Sequence, residues 1–124
     1  MSLRTPLARV RHLGSAKDGT RHWWVQRVTA LALIPLSLWF VISIIGVLGA
    51  DHQAMVEWVG NPLTATLLVL LIAATFYHAA LGLQVVIEDY VSDKVARIAA
   101  ILFVQGLSFL LAVIGIISVL SILF

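Results

Sequence analysis

Residues 63–87 read LTATLLVLLIAATFYHAALGLQVVI, a run of 25 residues without lysine, arginine, aspartate or glutamate. A helix that rises about 1.5 Å per residue needs about 20 apolar residues to cross about 30 Å of hydrocarbon. The run therefore predicts a transmembrane helix. A histidine, His78, lies inside this run, and an imidazole in hydrocarbon is costly unless it gains a partner.

Two further apolar runs flank this one, residues 28–50 before it and residues 98–124 after it. The chain of 124 residues is 61% hydrophobic and 11% charged, whereas ordinary globular domains are about a quarter charged. We therefore predict an all-α membrane protein with three transmembrane helices, 28–50, 63–87 and 98–124, in a single domain, 1–124. The chain has no cysteine, which excludes disulfides and thiolate-bound metal centres.

The basic residues predict the orientation. Residues 1–27 hold six of the eight lysines and arginines, residues 88–97 hold the other two, and the loop 51–62 holds none. Because loops rich in lysine and arginine stay in the cytoplasm, we predict a basic cytoplasmic N-terminal segment, 1–27, and a C-terminus on the outer side. Gly14 and Gly19 are predicted to interrupt any helix in that segment.

The position of His78 suggests two roles. It lies fifteen residues into the second run, about 22 Å along the helix and on its cytoplasmic half. Ala74 and Gly82 share its stripe one turn to either side, and such small neighbours leave room for a porphyrin next to an axial histidine. Alternatively, His78 hydrogen-bonds to another helix, and the two small residues serve only close helix packing.

An acid and a phenol follow His78 near the end of the same run. Asp89 comes eleven residues after it, and Tyr90 is next. At about 100° per residue, Asp89 lies on the face of His78, about 16 Å nearer the basic side, if the helix continues that far. The Tyr90 phenol could donate a hydrogen bond to a carbonyl of a lipid-soluble ligand, and Asp89 could orient it or relay protons. Alternatively, Tyr90 is an aromatic-belt residue and Asp89 a solvated helix end.

The segment HWWVQRVTA, residues 22–30, leads into the first run. Two tryptophans beside an arginine are typical of an interfacial anchor. Arg27 lies at the same membrane level as Asp89, however, and its cation could pair with the propionates of a haem whose iron is bound deeper. Both interpretations are open from the residues alone.

Together these two segments resemble a known family. The motif His78-x3-Gly82-x-Gln84-x3-Glu88-Asp89-Tyr90-Val91, preceded by His22-Trp23-Trp24-x-Gln26-Arg27-x-Thr29-Ala30, resembles the smaller hydrophobic membrane-anchor subunits of bacterial succinate dehydrogenase (succinate:quinone oxidoreductase, respiratory complex II). The resemblance covers nearly the whole chain. It implies that His78 is an axial ligand of the iron of haem b. It also implies that Tyr90 and Asp89 contribute to the ubiquinone site, and that Arg27 and His22 lie near the haem propionates.

The resemblance implies partners and a location as well. The expected partners are a larger cytochrome b anchor subunit, which supplies the second haem ligand, an iron-sulfur subunit, a flavoprotein subunit and membrane lipid, but no nucleic acid. The chain would lie in the bacterial inner membrane as a multi-pass protein, with its N-terminus cytoplasmic and its C-terminus periplasmic.

Alone, the chain is expected to be non-catalytic, because it has no FAD motif and no cysteines for iron-sulfur clusters. A lone intramembrane histidine also needs a second ligand from elsewhere, either a partner subunit or a second copy of this chain. The alternative from another class is a cofactor-free helical membrane scaffold or assembly protein, in which His78 only packs. A weaker alternative is a transporter subunit that uses His78 and Asp89 as a proton relay.

Overall fold

The computed structural model describes residues 5–7 and 16–124, and its main elements there are four helices with no strand. They are α1 (Ala16–Gly46), α2 (His52–Val59), α3 (Pro62–Tyr90) and α4 (Lys94–Leu123). The helices α1, α3 and α4 contain the three stretches that are long and apolar enough to cross a membrane. The predicted fold class, an all-α protein with three such helices, is confirmed.

The first helix is longer than the first apolar run. It begins at Ala16 and includes Gly19, so the prediction that Gly19 interrupts any helix was wrong. A glycine costs only about 1 kcal/mol in a helix interior, and here the helix continues directly into the long apolar stretch Thr20–Gly46. Pro35 also lies inside α1. Gly14 falls outside the described residues.

Local capping sets the ends of α3 and α4. The Asn61 side chain accepts a hydrogen bond from the backbone N–H of Leu63 at 2.9 Å, and Pro62 takes the first helical position, where a missing N–H costs nothing. At the other end, α3 continues to Tyr90, and Asp93 caps α4 by accepting from the N–H of Ala96 at 2.9 Å. Only residues 91–93 separate the two helices, so α3 and α4 are antiparallel neighbours.

The connection between α1 and α3, predicted as a loop, contains the short helix α2. The Asp51 carboxylate caps it by accepting from the N–H of Ala54 at 2.8 Å. Trp58 of α2 stacks on Trp39 of α1, with ring centroids 6.3 Å apart and planes 21° from parallel. A helix of eight residues is too short to show a hydrophobic period in the sequence. It is also too short to be stable alone, so packing of this kind supplies its stability.

The buried core is small. Among the described residues, only Thr64, Ala65, Leu68 and Val119 are buried, at the end of the bundle opposite the α3–α4 connection. Many large apolar side chains elsewhere face outward; Phe109, for example, is 72% exposed. Such a surface suits lipid or neighbouring subunits and not water.

Candidate functional site

The structure joins His78 to the first helix. Its Nδ1 lies 3.0 Å from the hydroxyl oxygen of Thr29, a residue 49 positions earlier in the chain. His78 is half-buried between α3 and α1, within the apolar part of both helices. The residue therefore has a polar partner at membrane depth, as its position in the sequence required.

The surroundings of the Thr29 hydroxyl indicate which ring nitrogen carries the proton. The same oxygen lies 2.9 Å from the carbonyl oxygen of Val25 and 3.0 Å from that of Gln26. A hydroxyl has one proton to donate. If that proton is shared between the two backbone carbonyls, the contact with His78 is a hydrogen bond only when Nδ1–H donates to the Thr29 oxygen. The Nε2 atom then carries the lone pair, which is the form in which an imidazole binds a metal.

This geometry bears on both roles considered for His78. The interhelical hydrogen bond of the packing interpretation is present. It occupies Nδ1, whereas ligation in this tautomer would use Nε2, so the two roles are compatible. Metal-binding histidines commonly donate their second N–H to a protein oxygen, which orients the ring.

Gly82, one turn after His78, lies against α1. A Cβ atom built on it would be 3.7 Å from Nε2 of Gln26, an ordinary van der Waals distance. The amide oxygen Oε1 of Gln26 is buried and has no hydrogen-bond partner. An unpaired buried acceptor costs about 1–3 kcal/mol, so a donor from another molecule would be stabilising at this point of the α1–α3 contact.

We expect Gly82→Ala to raise the thermal stability of the purified protein slightly, by at most about 1 kcal/mol, because the added methyl meets no atom closer than 3.7 Å and alanine is favoured over glycine inside a helix. The matched control is Gly115→Ala in α4, where the new Cβ would lie 3.3 Å from the Ile72 side chain. The Ile72 side chain must shift by a few tenths of an ångström to accept that methyl, and overpacking, which typically costs about 1–3 kcal/mol, offsets the gain from alanine. The melting temperatures of the two purified variants test this. A lower value for Gly82→Ala than for Gly115→Ala would contradict the expectation.

The residues predicted near the haem propionates occupy different faces of α1. His22 is half-buried and lines, with Tyr77 and Leu81 of α3, a pocket of about 190 Å³. Arg27 is exposed, and its guanidinium carbon lies 5.6 Å from the ring centroid of Trp23. The cation–π contact fits the interfacial-anchor interpretation. Contact of either residue with a haem stays a prediction.

Asp89 and Tyr90 form the last turn of α3. The helix is continuous from Pro62 to Tyr90, so the condition for Asp89 to share the face of His78 is met. Both residues are exposed, and Tyr90 is 84% exposed. Their polar groups are therefore accessible to a ligand or to a neighbouring subunit at the membrane boundary.

The sequence analysis did not predict a chain of side-chain hydrogen bonds that connects α3 and α4. Gln105 donates through Nε2 to Oε1 of Gln84 at 3.1 Å, and Gln84 donates to the carboxylate of Glu88 at 3.0 Å. The two glutamines line a groove of about 440 Å³ between the helices. Amide pairs of this kind hold helices together in hydrocarbon. The presence of one glutamine in each of two apolar runs was the only indication of this bond in the sequence. Whether the two side chains meet depends on how the helices face each other.

Comparisons with known proteins identify relatives over most of the chain. The family described as "Succinate dehydrogenase/Fumarate reductase transmembrane subunit" matches residues 1–123. The chain is 34% identical to the succinate dehydrogenase hydrophobic membrane anchor subunit of Rickettsia bellii (strain RML369-C), over 94% of this chain and 93% of the relative. It is 32% identical to the subunit of the same name from Paracoccus denitrificans, over 80% of this chain and 76% of the relative.

Proposed function

Because the chain belongs to the succinate dehydrogenase/fumarate reductase transmembrane subunit family and is a membrane anchor subunit of succinate dehydrogenase, we propose that it supplies one axial ligand to haem b and part of a ubiquinone-reduction site. In this proposal His78 is the ligand, and Tyr90 and Asp89 act at the quinone. The observation that carries the proposal is the 3.0 Å contact between Nδ1 of His78 and the Thr29 hydroxyl, because donation of the Nδ1–H to that oxygen would leave the Nε2 lone pair for a metal inside a membrane-spanning helix.

The residues around His78 fit a haem. Ala74 and Gly82 place no bulky side chain one turn to either side, although α1 packs against Gly82 through Gln26. Arg27 offers a cation on the exposed side of α1 for a propionate, and His22 offers a ring nitrogen on another face of α1, beside Tyr77 and Leu81. When bound, the haem supplies a one-electron redox centre; the chain holds and orients it.

The proposal requires other subunits. Of the four histidines in the sequence, His78 alone lies inside an apolar run, so a second axial histidine must come from another chain. We assign it to a larger cytochrome b anchor subunit, packed against the outward-facing apolar surface of these helices. An iron-sulfur subunit and a flavoprotein subunit, which would carry out succinate oxidation, complete the complex at the cytoplasmic side.

Tyr90 and Asp89 have the chemistry that a quinone site needs. The phenol donates a hydrogen bond to a quinone carbonyl, which becomes more negative during reduction, so the bond strengthens as the reaction proceeds. The Asp89 carboxylate, next along the helix, can pass protons from the aqueous side to the reduced ring. Their exposed position at the end of α3 supports this assignment, because a lipid-soluble head group and water can both reach it.

A reduced-minus-oxidised spectrum of the purified complex tests the proposal. We expect a b-type absorption band in amounts near one haem per copy of this chain. The alternative function is a cofactor-free membrane scaffold, and the Thr29–His78 bond is the observation in its favour, since helix pairing would then be the entire role of His78. A complex without haem would favour the scaffold.

The predicted orientation can be tested with single cysteines, because the native chain has none. Gln53→Cys in α2 and Ser92→Cys between α3 and α4 both replace exposed residues. We expect a membrane-impermeant maleimide to label Gln53→Cys in cells whose outer membrane alone is permeabilised, and Ser92→Cys only after the inner membrane is opened. The reverse pattern would contradict a cytoplasmic N-terminus.

A further inference from the structure

We propose that Thr29 is the positioning residue of the axial histidine: it accepts the Nδ1–H of His78, sets the orientation of the ring and strengthens electron donation from Nε2 to the haem iron. The inference rests on the proposed ligation by His78. It adds a specific role for Thr29, a residue on a different helix from the ligand.

The Thr29 hydroxyl is held in place by its own helix. Its contacts with the carbonyl oxygens of Val25 and Gln26, at 2.9 and 3.0 Å, engage the hydroxyl proton and hold the side chain in one rotamer. The oxygen lone pairs then face His78 at 3.0 Å. The acceptor is therefore preorganised on α1, and the histidine does not have to order it.

The hydrogen bond between Thr29 and His78 matters more inside a membrane than it would in water. Hydrocarbon offers no water to replace a lost acceptor. An N–H bonded to an oxygen makes the imidazole a stronger donor at its other nitrogen. A stronger donor stabilises ferric over ferrous iron, so the Thr29 hydroxyl should lower the midpoint potential of the haem.

Redox titration of the haem b band in the purified complex tests the role of Thr29. We expect Thr29→Val and Thr29→Ala to raise the midpoint potential and Thr29→Ser to preserve it. A group that hydrogen-bonds to a metal ligand typically contributes about 10- to 100-fold to metal affinity. A loss of about tenfold in ferric relative to ferrous binding would raise the potential by about 59 mV.

Thr66 provides the matched control. Its hydroxyl makes the same kind of bond to its own helix, to the carbonyl oxygen of Pro62 at 2.7 Å, but it is exposed and lies in the first turns of α3. Thr66→Val removes a comparable hydroxyl at a site far from His78. We expect it to leave both the haem content and the midpoint potential at their wild-type values.

The outcomes separate this inference from the ligation on which it rests. If the midpoint potential and the haem content were unchanged in both Thr29→Val and Thr29→Ala, the role of Thr29 would be overturned. The same conclusion would follow if Thr29→Ser shifted the midpoint potential as much as those two variants do. Loss of haem from the valine and alanine variants with retention in Thr29→Ser would support it. Full haem content in His78→Ala would instead overturn the ligation, and this inference with it.

Discussion

Replacing His78 by alanine is expected to abolish the b-type band of the purified succinate dehydrogenase complex while leaving the complex assembled. The imidazole is the one side chain of this kind within an apolar run of the chain, so no other histidine in those runs can replace it as a ligand. The measurements are the reduced-minus-oxidised spectrum and the ratio of haem to protein. We expect less than a tenth of the wild-type haem. Loss of a group that only hydrogen-bonds to a metal ligand already lowers metal affinity by about 10- to 100-fold, and His78→Ala removes the ligand itself.

The structure indicates why the His78→Ala complex should still assemble. The Thr29 hydroxyl keeps its bonds to the carbonyl oxygens of Val25 and Gln26, so no buried donor is left unpaired. Interhelical hydrogen bonds in membranes contribute about 0.6 kcal/mol on average, which is a small loss for the α1–α3 pair. His52→Ala, at an exposed position of α2, is the matched control and should retain full haem. Equal haem content in the two variants would refute ligation by His78.

Tyr90→Phe is expected to slow quinone reduction by about tenfold without changing succinate oxidation by an artificial soluble acceptor. The substitution removes one hydroxyl from a side chain that is 84% exposed, so the fold should not respond. A hydrogen bond to a quinone carbonyl of about 1.4 kcal/mol corresponds to the tenfold effect. Steady-state assays with a ubiquinone analogue and with the soluble acceptor, on the same preparation, provide the comparison.

The control for Tyr90 is Tyr77, also on α3 and 53% exposed. Tyr77 lines the groove between α3 and α4, well before the end of the helix. Tyr77→Phe removes the same hydroxyl and should leave quinone reduction at the wild-type rate. If both phenylalanine variants slowed quinone reduction equally, or if Tyr90→Phe reduced both activities together, a local role of Tyr90 at the quinone would be excluded.

The sequence predicted most of the fold because a long apolar helix can be located from the hydropathy of consecutive residues alone. The runs 28–50, 63–87 and 98–124 correspond to α1, α3 and α4, and Asn61-Pro62 marks the start of α3. The ends were less predictable. Helix α3 continues through the charged pair Glu88-Asp89 to Tyr90, because charged residues at the end of a transmembrane helix can stay helical at the boundary between membrane and water. Helix α2 was missed because its stability depends on the stacking of Trp58 on Trp39.

The sequence by itself determined the number of apolar helices, the family, and the spacing of His78, Asp89 and Tyr90 along one helix, since hydropathy and helical pitch act over consecutive residues. Only the tertiary structure decided that Thr29 meets His78, and that Gln105 meets Gln84. These pairs are 49 and 21 residues apart, and each depends on the rotation and register of two packed helices. Side-chain packing sets that geometry, and a single apolar sequence is compatible with many such arrangements.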